Sequence, residues 1–363
     1  MRNTLLSNLL ILGLAALAHE ATAQTQTNSG YRIHDMERAT PPVVTPGKDN
    51  APPADAIVLF NGADLSEWRK KEGEPAAWKV ADGYMETVAG ADDIYTKRTF
   101  GDCQLHVEWA SPADPAGKTD QARGNSGIFF MEKYEIQVLD SYESRTYSDG
   151  YAGAIYAQYP PQVNATRKPG EWQTYDIVFH APRFKKDGTV KRAARITAFL
   201  NGILVQDNVS LTGPTGWLQQ KPYEVHADSM SLKLQDHDSP VRYRNIWIRP
   251  LPQREHLKKI QMKTREAKVQ PATAQLDHFV GAYETIDPTD EKKDVPFIVI
   301  RRDGDHLLAA IRDKQEWPVI AQSETEFVFE SFDGTLTFVQ DEKGAVTGVN
   351  FRVGIEPKFE KKL

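Results

Sequence analysis

The feature that most constrains this chain is a succession of short β-prone runs, each closed off by Gly, Pro, Asn or Asp. They are Ile57 to Phe60, Trp78 to Val80, Gln104 to Trp109, Gly127 to Phe130, Tyr134 to Leu139, Trp172 to Phe179, Arg195 to Leu200 and Ser231 to Leu234. Such spacing predicts an all-β chain built on an antiparallel sandwich. Within Arg195 to Val205, Asn201-Gly202 supplies the two positive-φ residues of a tight hairpin. Val241 to Arg249 alternates strictly, with Val241, Tyr243 and the Trp247 ring on one face and Ile246 and Ile248 on the other. That strand is therefore expected to be covered on both sides.

The flanking segments have different textures. Met1-Arg2-Asn3 leads into an apolar stretch from Leu9 to Ala18 and then Ala21-Thr22-Ala23, an A-x-A cleavage pattern. A signal peptide over residues 1–23 is expected, and with it an exported, periplasmic or extracellular protein. No segment approaches the roughly 20 continuous apolar residues of a membrane span. Residues 24–54 are polar and broken by Pro41, Pro42, Pro46, Pro52 and Pro53, and are expected to form a disordered linker. The first β unit, residues 55–250, closes at Pro250 and Pro252. Glu255 to Val269 is charged and free of Gly and Pro, which predicts a linking helix within residues 251–270. Residues 271–363 carry a further set of strands with turns at Asp303-Gly304, Asp333-Gly334 and Lys343-Gly344. They predict a small antiparallel β-barrel-like domain.

Bulk properties narrow the partners. A net charge of −6 with no basic stripe or tail argues against nucleic acid. Cys103 is the one cysteine, so no internal disulfide can form, and it is expected to be a small buried hydrophobe. Thirteen Tyr and seven Trp are ample material for a surface that stacks against sugar rings.

Several blocks, in order, carry a family resemblance. Leu59-Phe60-Asn61-Gly62 with Trp68, Phe100-Gly101-Asp102 through Glu108-Trp109, Gly124-Asn125-Ser126-Gly127-Ile128 and Tyr134-Glu135-Ile136-Gln137-Val138-Leu139-Asp140 come first. Gly153-Ala154-Ile155-Tyr156, Gly170-Glu171-Trp172-Gln173, Leu200-Asn201-Gly202, Leu234-Gln235-Asp236-His237 and Val241 to Ile246 follow. Together they resemble the 3-keto-disaccharide hydrolase family over about 195 residues. Gln173, Asp238 and Tyr243 stand where that family tends to have Asn, Gly and Phe. The resemblance implies a concanavalin A-like jelly-roll sandwich and cleavage of glycosides already oxidised at C3. The unit starting near Phe279 resembles a small β domain appended to some exported serine hydrolases and implies no chemistry.

The residues themselves suggest a site. Strand alternation puts Glu135, Gln137 and Leu139 on one face and Ile136 and Val138 on the other. A polar strand face flanked by Tyr134, Tyr156 and Trp172 suits a sugar, since carboxylate and amide bind hydroxyls while rings cover C–H faces. Asp140 at the strand end is placed to reach the rim. A C3 ketone acidifies the C2 hydrogen, so one base, one acid and one donor to the ketone suffice. Glu135 is the candidate base and His237 the candidate acid, with Arg244 or Asn125 holding the oxyanion. A retaining hydrolase would need two carboxylates about 5 Å apart. Gln137 in the middle of the run and Asp140 at its end break the Glu-x-Asp-x-x-Glu spacing of laminarinase-like sandwiches, which weakens that alternative without removing it. A non-catalytic carbohydrate-binding module and a surface scaffold are the readings from other classes. No cofactor and no catalytic metal are expected, because His106, Glu108 and His180 lack ligand spacing. Asp92-Asp93 and Asp236-His237-Asp238 offer oxygens for a structural calcium.

Overall fold

The computed structural model describes His34, Met36 and residues 40–252, 265–285, 297–312, 315–353 and 356–362, the last of these as backbone. The expected signal peptide and most of the expected linking helix lie outside the described residues. Residues 265–270 contain no helix. The chain divides into two compact units, one of which is Pro42–Gln253.

That unit is a sandwich of two antiparallel sheets. One has eight strands: Ile203–Ser210, Arg195–Leu200, Gln173–His180, Cys103–Ala110, Arg242–Pro250, Tyr84–Glu86 and Lys79–Ala81 in spatial order, with Ile57–Phe60 also on Arg242–Pro250. The other has five, in the order Trp68–Arg69, Ile94–Phe100, Met230–Leu234, Ser126–Phe130 and Tyr134–Val138. Period-two patterning explains the layers. Along Gln173–His180, Gln173, Tyr175, Ile177 and Phe179 are buried while the residues between them are half-exposed. Phe130 of one sheet stacks on Phe179 of the other with centroids 4.6 Å apart. Tyr243 donates to Ser126 Oγ at 2.7 Å and Tyr175 to the Gln137 carbonyl at 2.7 Å, so the core is bolted by buried hydroxyls as well as packed. Cys103 is fully buried in this core, as expected. Asn201 and Gly202, at φ 53° and 79°, form the expected two-residue hairpin turn.

Two expectations fail here for local reasons. Strict alternation does not hold along Arg242–Pro250, because the pairing to Cys103–Ala110 shifts register between Arg244 and Trp247, and Asn245 adopts φ 45°. The bulge flips parity. Tyr243, Ile246 and Ile248 consequently all join the core, and Trp247 lies on the outer side, stacked 5.0 Å from His106. The end of the expected linker is also fastened: the Asn50 carbonyl accepts from Asn245 Nδ2 and Trp247 Nε1, both at 3.0 Å. A backbone acceptor leaves no trace in hydropathy.

The second unit holds a closed barrel of eight antiparallel strands, from Gly281–Thr285 round to Glu356–Lys362, which pairs back onto the first. Its interior is aromatic, with Phe279, Tyr283, Phe327, Phe329 and Phe338 buried. Glu316–Ala321 escapes a sequence reading because Pro318 sits in its middle and proline normally argues against a strand interior.

Candidate active site

The outer face of the five-stranded sheet carries a row that crosses every strand. Arg69 pairs with Tyr95, Tyr95 with Lys233, Lys233 with Phe129 and Phe129 with Glu135. Two residues further along, Gln137 pairs with Gly127. Side chains in register on one face must meet, and here they form the floor of a cavity of about 710 Å³ that contains Phe129, Glu135 and Gln137. This is the size of a small-molecule site.

Glu135 is only 5% exposed. Its room comes from Gly127, where a Cβ would lie 2.4 Å from Glu135 Oε1 and 2.7 Å from the Phe129 ring. Burial pushes the Glu135 carboxyl up to about 8; Lys233 pulls the other way and Asp93 reinforces the rise. Lys233 cannot neutralise the acid fully, since it is ion-paired to Asp93 at 2.8 Å and rests 3.6 Å from the centroid of the Phe129 ring.

The Gln137 amide sits with its nitrogen turned to donate to Glu135 Oε1 at 2.9 Å and to the Ser126 carbonyl at 3.0 Å.

Neighbouring segments supply the walls. Residues Gly153 to Tyr156 pair with the strand that bears Glu135: Gly153 N donates to Gln137 O, Gln137 N to Ala154 O, and Tyr156 N to Glu135 O. This delivers Tyr156 to the cavity, its hydroxyl 2.9 Å from that of Tyr147. One hydroxyl donates to the other, which leaves the acceptor's own hydrogen for a ligand. Burial raises the Tyr156 hydroxyl, so it remains a phenol and a donor. His237 is exposed, and both it and Asp238 line the cavity.

Of the residues the sequence nominated, Glu135, Gln137, Asn125, Tyr156 and His237 converge on this one cavity. Others do not line it. Asp140 is 4% exposed and holds Arg123 Nη2 at 2.6 Å, while its amide donates to the Arg123 carbonyl; it anchors the loop that presents Gln121 and Asn125. Arg244 donates to Glu108 Oε2 at 2.7 Å and lies 4.0 Å over the Trp172 ring. Arg244 and Glu108 are on the eight-stranded sheet, so Arg244 and Trp172 do not line this site. Tyr134 is fully buried on the core side, bonded to His226 at 2.7 Å. Leu139 also turns inward, because the strand ends at Val138. Asp92 and Asp93 are ion-paired to Lys70 and Lys233.

Sequence reasoning missed Gln121, Phe129, Tyr147 and Trp217. Phe129 was discoverable, being two residues from Gly127 on a strand where alternation puts both on one face. The others come from loops, and nothing local in the sequence sets where they point.

Comparison with known proteins follows the same boundaries. The 3-keto-alpha-glucoside-1,2-lyase-like domain matches residues 55–249, more than half of the chain. A crystal structure from Parabacteroides distasonis ATCC 8503, provisionally assigned as a glycosyl hydrolase, is 44% identical with a TM-score of 0.57, covering 59% of this chain and 93% of that one. A second structure from that organism, with the same provisional assignment, is 24% identical with a TM-score of 0.41, covering 55% and 94%. No match is found among curated proteins.

Proposed function

Because the chain belongs to the 3-keto-alpha-glucoside-1,2-lyase-like family, we propose that it is an exported enzyme that cleaves 3-keto-glycosides by elimination across C1 and C2, followed by hydration. The observation that carries this reading is a buried, high-pKa Glu135 on the floor of a polar, aromatic-walled cavity.

The chemistry needs no nucleophile. Ionised Glu135 takes the C2 proton, and the C2–H electron pair becomes the C2=C3 double bond of an enolate whose charge rests on the C3 oxygen. Collapse of that enolate forms C1=C2, breaks the bond from C1 to its oxygen substituent and restores the ketone. Water then adds at C1 and a proton returns to C2, so the net change is hydrolysis. Burial makes Glu135 a stronger base than a solvated carboxylate. The cost is that only about a tenth is ionised at pH 7, from the tenfold change per pH unit. The free hydroxyl hydrogen of the Tyr147–Tyr156 pair and the amide of Asn125 are the donors available to the ketone oxygen. With Arg244 excluded, no cation is needed in that role. His237 at the solvent side protonates the departing oxygen.

Glycoside hydrolases that work directly on C1 use two carboxylates. Here the carboxylates lining the cavity are Glu135 and the exposed Asp238. A binding module would have a shallow face with Glu135 solvated, and a scaffold would have an apolar one; the enclosed carboxyl disfavours both.

The test is incubation of the purified protein with a 3-keto-disaccharide in D₂O. Release of a 3-keto monosaccharide carrying deuterium at C2 is expected. Release without C2 deuteration would replace elimination by direct displacement at C1, and no release at all would remove the enzyme reading.

A further inference from the structure

We propose that Trp217 is the platform for the leaving group, and therefore that the protein selects glycosides whose C1 substituent is a second pyranose or another ring with a C–H face. This deepens the reading above and rests on it.

Trp217 lines the same cavity as Glu135, yet it is 71% exposed, and Leu218 beside it is 79% exposed. Six of the protein's seven Trp side chains, those at positions 68, 78, 109, 172, 247 and 317, are buried or half-buried; Trp217 alone stands out in solvent. A solvated indole gains nothing for the fold, since its burial on folding is small.

The segment that displays it is not loosely attached. Thr215 N and Oγ1 both donate to the Lys133 carbonyl at 3.0 Å, and Thr215 Oγ1 accepts from the backbone N–H of Glu135 at 3.1 Å. Gln158 Nε2 donates to the Gly213 carbonyl at 3.0 Å, and Gln158 Oε1 accepts from Thr212 N at 3.0 Å. Trp217 is thus two residues from a side chain bonded to the backbone of the proposed base. An exposed ring held on a built anchor is arranged for a ligand.

The direction of the reaction fixes which part of the substrate it meets. Strands close the floor around Glu135, Gln137 and Phe129, so the ring that loses its C2 proton must sit there. Its C1 substituent then has to leave toward solvent. An indole in that path stacks on the C–H face of a pyranose or on an aromatic ring, while a methyl group offers it little area.

Trp217→Ala should fold, because the side chain packs little. Activity is measured on a 3-keto-disaccharide and on a methyl 3-keto-glucoside. A contact of this kind predicts a loss of kcat/KM of about three- to tenfold on the disaccharide, with the methyl glycoside changed less than about twofold by the same stacking argument. Equal losses on both, or none on the disaccharide, overturn the platform. Calorimetric binding of the 3-keto-disaccharide to the wild type and to Trp217→Ala separates this from failure of the catalytic reading. Weaker binding by the variant supports the platform even if neither protein turns the sugar over; equal binding, or none by the wild type, overturns it.

Discussion

Glu135 and Glu108 are the same residue type on strands of the same sandwich, each nearly enclosed, and they titrate in opposite directions. Burial acts on both. At Glu108 it is outweighed by hydrogen bonds from Asn245 at 2.9 Å and Arg244 at 2.7 Å, which hold the carboxyl below its ordinary value. At Glu135 the cation that opposes burial, Lys233, is already committed to Asp93, so desolvation wins and the carboxyl rises to about 8. A carboxylate held by a guanidinium is structural; one left with the neutral Gln137 amide as its donor is poised to act as a base. The two outer faces of the sandwich therefore differ less in composition than in whether their charges are satisfied.

The largest expected effect breaks the comparison on activity. Glu135→Gln should lower kcat on a 3-keto-disaccharide by about two to four orders of magnitude, the range for a lost general base. Glu108→Gln should leave kcat within about twofold, since it touches no cavity residue, and lower stability by about 1 kcal/mol, discounted for the solvent that reaches Arg244. Steady-state sugar release and urea unfolding read the two. A comparable loss of kcat in both variants would abolish the distinction.

The pH dependence sharpens it. Glu135 has a raised folded-state pKa, so below about 4.5 both folded and unfolded states are protonated and the group costs nothing. Between about 4.5 and 8 the unfolded state releases its proton while the folded state keeps it, and stability falls with rising pH. Glu135→Gln removes that penalty. The variant should gain on wild type progressively through this window, by up to about 5 kcal/mol at pH 9. Wild-type kcat/KM should rise through this window as Glu135 ionises and fall again at higher pH, where the acid that protonates the departing oxygen loses its proton. Thermal unfolding followed from pH 4 to 9 checks the first; a flat difference would mean that Glu135 is ionised in the folded protein.

Gly127 is the structural condition of that buried, cation-free state. Gly127→Ala puts a methyl where Glu135 Oε1 now lies, so the carboxylate or the Phe129 ring must move. A destabilisation of about 1–3 kcal/mol is expected from overpacking, with kcat reduced about ten- to a hundredfold by the displaced base. Unchanged activity would show that the carboxyl works from another position.

The same contrast explains what the sequence disclosed. Strand periodicity exposed the sandwich and the shared face of Glu135 and Gln137, and turn chemistry exposed the Asn201-Gly202 hairpin, because both are local signals. It could not disclose the bulge at Asn245, which reverses parity from one residue's backbone conformation. Nor could it tell which face of the sandwich Arg244 and Trp172 would lie on, or that Asp140 would be consumed by Arg123, since partners distant in sequence decide both. Loop residues such as Gln121 and Trp217 reach the cavity through hydrogen bonds to remote carbonyls, and carry no periodic signal.

The smallest expected effect tests the assignment of Arg244 away from the site. Arg244→Ala removes the guanidinium from the Trp172 ring and from Glu108, whose carboxyl loses one of its two side-chain donors while keeping Asn245. The exposed geometry makes this worth about 1 kcal/mol of stability. Glu108 should titrate higher than in the wild type, observable by carboxyl NMR, because burial is then less opposed. Turnover should be unaltered, since the donors available to the oxyanion are the tyrosine pair and Asn125. A tenfold fall in kcat with normal folding would return Arg244 to the chemistry and make the eight-stranded face, not the five-stranded one, the place to look for the ketone.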